Sequence, residues 1–206
     1  MRRLISILLI LSIFNISVKA KNTEGERPSR LTYGLEWGYS AAVFSGFHYN
    51  YFAPEGFRMD EFGNSFIYRS NAEAYLNVGY NLSDIWNIAV YAGYAGVSDL
   101  HKAIPISFRG TRFFGDDPAK DRWFAFMDLG TGICLKKPVQ EIFSGKIGCG
   151  FRMALSQTTG LDFIFAVKTI YTHPYIYYDG IEIPFNKTNR NDAYISSLSL
   201  GLALSF

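Results

Sequence analysis

The stretch Leu198–Phe206 reads Leu-Ser-Leu-Gly-Leu-Ala-Leu-Ser-Phe. Every second residue is large and apolar (Leu198, Leu200, Leu202, Leu204 and Phe206), and every residue between is Ser, Gly or Ala. A period of two puts the large set on one face of a strand and the small set on the other. A sheet with one face in water carries Lys, Glu and Thr on that face; this second face is too small and too uncharged for that role. Small residues suit the narrow interior of a closed barrel, and a leucine face suits hydrocarbon.

The same alternation recurs upstream. Tyr33, Leu35, Trp37, Tyr39, Ala41 and Val43 share one face, against Thr32, Gly34, Glu36, Gly38, Ser40 and Ala42. Ala72, Ala74, Leu76, Val78, Tyr80 and Leu82 face away from Asn71, Glu73, Tyr75, Asn77, Gly79 and Asn81. Eight such segments are read at 30–45, 66–82, 86–97, 103–114, 122–135, 147–155, 161–172 and 193–206. Several reach the roughly 9–11 residues that a tilted membrane strand needs. Backbone groups in lipid must all be paired, so the sheet has to close. The expected fold is all-β: a closed antiparallel eight-stranded transmembrane β-barrel over residues 30–206. The connections Leu82–Ile85, Gly115–Asp121 and Ser156–Gly160 are short, and Ser98–Lys102 is also brief. Gly46–Ser65 and His173–Asp192 are long, and Lys136–Lys146 is intermediate. Short periplasmic turns and longer outer loops are the usual arrangement, which places both ends of the barrel chain in the periplasm.

Composition agrees with this reading. Of 206 residues only 18% are charged and 17% are aromatic, with 18 Phe, 14 Tyr and 19 Gly. Soluble domains carry about 25% charge. A formal charge of +2 leaves no basic excess, so nucleic acid is not an expected partner. Two cysteines exclude a disulfide scaffold. Alternation sets Cys134 inward and Cys149 toward lipid, so a bridge between them would need a bulge. At the N-terminus, Met1-Arg2-Arg3, the apolar run Leu4–Val18 and the small residues around Ala20 predict a signal peptide over 1–20, cut after Ala20. Residues 21–29 read as a polar periplasmic tether.

The run Gly79-Tyr-Asn-Leu-Ser-Asp-Ile-Trp86 resembles the strand-turn-strand of small outer-membrane barrels of the OmpA/OmpX type. The resemblance covers 30–206 as architecture. It implies a bacterial outer-membrane protein without enzymatic activity and with no peptidoglycan-binding domain after the barrel. Its surroundings would be outer-membrane lipids and lipopolysaccharide, its partners the outer-membrane assembly machinery and a larger outer-membrane complex. Leu198, Leu200, Leu202, Leu204 and Phe206 resemble the last-strand assembly signal of such barrels.

Three groups of residues could carry function. Glu36, Glu73 and Asp128 face inward with Arg109, Arg152 and Lys168, three charges of each sign, so a salt-bridged plug is expected rather than an ion path. Arg30, Arg69, Arg122 and Asp162 share that face nearer the strand ends. Phe47, Tyr49, Tyr51, Phe52 and Phe57 in the first outer loop, with Tyr175, Tyr177 and Tyr178 in the fourth, form a candidate extracellular aromatic patch, which Phe62, Phe66 and Tyr68 extend on the first side and Phe185 on the second. Tyr and Phe are favoured at interfaces, and such residues also form membrane girdles. Asp179-Gly180 signals a tight hairpin turn. His48, His101 and His173 lie on the outer side, which keeps a lipid-modifying enzyme with a loop histidine as an alternative, beside a narrow channel. None is followed by the His-x-Ser pattern of a lipid A deacylase, and no pair has metal-ligand spacing. No metal and no cofactor are expected.

Overall fold

In the computed structural model, residues 30–98, 101–115, 117–134, 141–156 and 158–206 are described. The signal peptide and tether read at 1–29 lie outside them. Seven long strands follow in order: β1 (Leu31–Phe52), β2 (Arg58–Asn81), β3 (Trp86–Ser98), β4 (His101–Phe114), β5 (Arg122–Cys134), β6 (Glu141–Ala154) and β7 (Gly160–Thr172). A small hairpin, β8 (Tyr177–Tyr178) and β9 (Ile181–Glu182), precedes the last strand, β10 (Thr188–Ser205). Strands β1 to β7 and β10 form a closed antiparallel barrel of eight strands. The ring closes where β10 meets β1, with Trp37 opposite Leu202 and Tyr39 opposite Leu200. Two further bonds seal its lower end: Tyr33 N–H donates to Phe206 O at 3.0 Å, and Phe206 N–H to Tyr33 O at 2.7 Å. No sheet edge remains at this seam.

The outside of the ring is apolar. Leu76, Val90, Phe108, Leu129, Ile147, Phe165 and Leu200 are all exposed. Aromatic side chains rim this belt below (Tyr33, Tyr80, Trp86, Phe114, Trp123) and above (Tyr94, Phe143, Tyr171). Inside, small residues alone do not fill the lumen. Phe113, Phe124, Phe126, Ile164, Ala166 and Ala203 pack into a core at the lower end. Glycine on the facing strand makes this possible: a Cβ at Gly150 would lie 2.3 Å from the Phe124 ring.

Four strand boundaries differ markedly from the sequence reading: the end of β1 and the starts of β2, β6 and β10, the last at Thr188 rather than 193. The expected loop Gly46–Ser65 is mostly strand, since β1 runs to Phe52 and β2 starts at Arg58. A bulge between Ala42 and Phe44 shifts the phase of β1, so its alternation breaks and the strand is lost to a period-two reading. Strand β6 begins at Glu141 rather than 147, which moves Lys146 from a loop into the barrel wall.

Candidate functional site: the lumen plug and the outer mouth

Glu36 on β1 is 2% exposed. Arg109 on β4 reaches it from three strands away around the ring, at 2.6 Å from Nη1 to Oε2. Lys146 on β6 reaches it from the opposite side, at 2.8 Å from Nζ to Oε1. Arg109 also forks onto Asp128 of β5, its cross-strand neighbour, at 2.7 and 2.8 Å. Its guanidinium lies between the rings of Tyr91 (4.0 Å) and Phe126 (4.2 Å), a cation–π sandwich. Lys168 of β7 reaches Glu73 of β2 at 2.5 Å, and Glu73 also accepts from Ser40 Oγ (2.9 Å) and Tyr75 OH (3.0 Å). Glu36, Glu73 and Asp128 thus face Arg109, Lys146 and Lys168. The cavity left beside Arg109, Asp128, Lys146 and Lys168 is about 20 Å³, room for about one water.

The sequence reading placed Arg152 in this central set and omitted Lys146. Arg152 instead lies lower in the barrel, 20% exposed, and pairs bidentately with Asp162 at 2.6 and 2.7 Å. Beside it Arg122 packs over Phe113 and donates to Asp84 O at 2.6 Å. Lys146 was detectable in principle. It shares parity with the inward Gly148, Gly150 and Arg152, and only the missed strand start hid it.

Above the barrel, β2 pairs with β3 only from Glu73 onward. Residues 58–72 therefore stand up as a hairpin with β1. The inner face of this hairpin is covered by the β8–β9 hairpin, whose turn has positive φ at both Asp179 (48°) and Gly180 (77°), as a type I′ turn needs. Tyr51, Ile176 and Ile183 form a small core here, with Tyr49, Met59 and Tyr178 packed against it. Tyr51 OH donates to Glu61 at 3.2 Å. Phe57 meets Tyr178 edge-on, and Tyr175 meets Phe185.

The eight aromatics read as one patch therefore divide. Tyr49, Tyr51, Tyr175 and Tyr178 pack within the mouth, while Phe47, Phe52, Phe57 and Tyr177 stay exposed. The three most exposed aromatics of the hairpin are Phe62 (79%), Phe66 (89%) and Tyr68 (82%), on the outward face of β2. The even-numbered alternation of β2 carries them.

His48 Nε2 lies 2.9 Å from Asp60 Oδ1, and His173 Nδ1 lies 3.4 Å from Asp192. Asp192 also accepts from Tyr171 OH and Arg190 Nε. The side chain of His101 lies outside the described residues, as does that of Cys134. Cys149 is an exposed free thiol. Among the described residues no three His, Cys, Asp or Glu side chains converge as a metal site would require. On β10, Leu198 and Leu200 are exposed on the outer face and Leu202 and Leu204 are half-buried; Phe206, just past the strand's end, is exposed.

No protein-family model and no curated protein sequence matches the chain. Among solved structures it is similar to Neisserial surface protein A, at 15% identity and a TM-score of 0.48, over 88% of this chain and 100% of that one. It is also similar to the outer membrane protein OprG from Pseudomonas aeruginosa, at 9% identity and a TM-score of 0.47, over 87% and 97%. A third likeness is to the N-terminal β-barrel domain of Pseudomonas aeruginosa OprF, at 14% identity and a TM-score of 0.42, over 83% and 97%. At these values no activity passes from those proteins to this chain.

Proposed function

We propose that this is an integral protein of the bacterial outer membrane, without catalytic activity, that acts through its outer mouth as an adhesion or partner-binding barrel. One observation carries the reading: a closed ring, apolar outside, whose lumen is crossed by paired charges. The apolar belt has the form that lipid solvates. The plug argues against conduction, because ions would have to break the bonds of Arg109, Lys146 and Lys168 to pass. The mouth offers Phe62, Phe66 and Tyr68 on a hairpin that stands above its neighbours, which is where a partner can reach aromatic side chains.

The second reading, an enzyme using His48 or His173, has less support. Each histidine faces an aspartate, but among the described residues no group of His, Cys, Asp or Glu that could hold a metal accompanies either. The test is a pull-down from mild-detergent membranes of the native host, comparing wild type with a Phe62→Ser/Tyr68→Ser double variant. A partner retained by wild type and lost by the variant supports the reading. Equal recovery, with both chains heat-modifiable in SDS, overturns it. Mass spectrometry of lipid A from a deletion strain addresses the enzyme: an altered acyl pattern would favour it.

A further inference from the structure

Between its two aromatic rims the outer face carries one charged side chain among the described residues, Arg112 on β4. Thr111 and Phe113 on either side of it are buried, and Arg112 is exposed with Phe108 and Phe114 on the outward face. It makes no ion pair among the described residues. Its guanidinium lies 5.7 Å from the centre of the Trp86 ring and 5.8 Å from that of Phe114. An unpaired cation facing hydrocarbon is costly, and even near the interface its charge calls for an anion or water.

Arg112 stands at the rim of a groove of about 760 Å³ in the outer wall. The groove exists because small residues turn outward where the rest of the belt is large. Ala125 lies directly opposite Arg112, Cys149 directly opposite Ala125, and Gly110 is two residues along β4. A Cβ added at Gly110 would meet nothing within 4 Å. Phe108, Leu129, Ile147 and Phe165 wall the space. The result is an apolar trough leading to a positive charge at the end of the barrel that also holds the Leu82–Ile85 turn.

We propose that this groove is a site for one anionic phospholipid of the periplasmic leaflet, with an acyl chain along Gly110, Ala125 and Cys149 and the phosphate on Arg112. The proposal rests on the membrane reading above. Charge complementarity selects the occupant: a neutral or zwitterionic lipid fills the trough equally well but leaves Arg112 with no net counter-charge. Lipopolysaccharide belongs to the opposite leaflet, away from the Arg112 end.

Native mass spectrometry of the detergent-solubilised chain tests this, with phosphatidylglycerol and phosphatidylcholine of the same acyl chains titrated separately. Wild type should retain one phosphatidylglycerol with a preference of about fivefold, the factor equivalent to about 1 kcal/mol for a basic residue beside anionic lipid. Arg112→Gln should remove the preference and Arg112→Lys should keep most of it. Gly110→Leu, which fills the trough without changing charge, should lower retention of both lipids. Equal retention of the two lipids by wild type, a preference that survives Arg112→Gln, or tighter binding of lipid A than of phosphatidylglycerol would overturn the site. A wild type that is not heat-modifiable in SDS would instead overturn the membrane reading itself, so the two failures are told apart.

Discussion

Arg109 shows how much a single side chain can hold in a narrow lumen. Its donors meet two carboxylates, Glu36 and Asp128, and the hydroxyl of Tyr91, while two rings cover its faces. Removing it would leave the buried Asp128 without its ion-pair partner and Glu36 with Lys146 alone. Arg109→Ala should therefore cost about 3–5 kcal/mol, the range for breaking a buried pair, read from urea unfolding in detergent micelles. Arg152→Ala should cost less, because Arg152 is 20% exposed and water can reach the Asp162 it leaves behind. Equal costs for the two would mean that the central cluster is no more buried in energy than the lower pair. At this scale the sequence showed which face each charge takes. It did not show which charges meet, because Glu36 and Lys146 are 110 residues apart and their contact depends on the curvature of the whole ring.

The elements divide by what surrounds them. Where lipid lies on one side and the lumen on the other, two distinct environments force a period of two, and those strand segments were legible. Where β1 and β2 rise above the belt the constraint disappears. The bulge after Ala42 then shifts β1, and aromatics occupy both faces, so a strand hairpin read as a loop. The tip of that hairpin should also respond to acid. The Asp60 carboxyl is held below the ordinary carboxylate range, first by its hydrogen bond with His48 and then by one with Asn50. Asp192 is lowered too: partial burial pushes it up, but hydrogen bonds from Tyr171 and Arg190 outweigh that. A carboxylate whose folded pKa lies below its unfolded value stabilises the structure above the unfolded value, about 3.9. That contribution is lost as pH falls through the folded value. Amide exchange across residues 47–62 should thus stay constant from neutral pH down to about 5, once the intrinsic pH dependence is removed, and rise below about 4. Asp60→Asn should blunt this acid step in the hairpin. An acid step as large in Asp60→Asn as in wild type would show that Asp60 does not carry it.

At the scale of the molecule, the belt and the plug make opposite demands on the same strands, and β10 shows both. Its outward Leu198 and Leu200 are exposed, while inward Ser197 and Ser199 are buried. In water, an arginine at an exposed position is nearly neutral; in a bilayer, an arginine at the midplane of the lipid face costs about 2–4 kcal/mol and less toward either interface. Leu200 lies in the body of the belt, opposite Tyr39 and Phe165, whereas Tyr194 lies in the upper rim against Phe44. Leu200→Arg should therefore lower unfolding stability in phospholipid vesicles by about 2–4 kcal/mol and reduce the heat-modifiable fraction, and Tyr194→Arg should cost about 0–1 kcal/mol from its charge. The contrast separates lipid from water as the solvent of this face once Tyr194→Ala and Leu200→Ala have been subtracted, because Tyr194 is half-buried and donates to Asn64 at 3.0 Å while Leu200 is exposed. The same vesicles should show no steady single-channel conductance for wild type, since the charged cluster from Glu36 to Lys168 closes the lumen. If Leu200→Arg kept wild-type stability in the bilayer, the apolar belt would not be the surface that meets hydrocarbon, and the barrel would have to cover that face with protein.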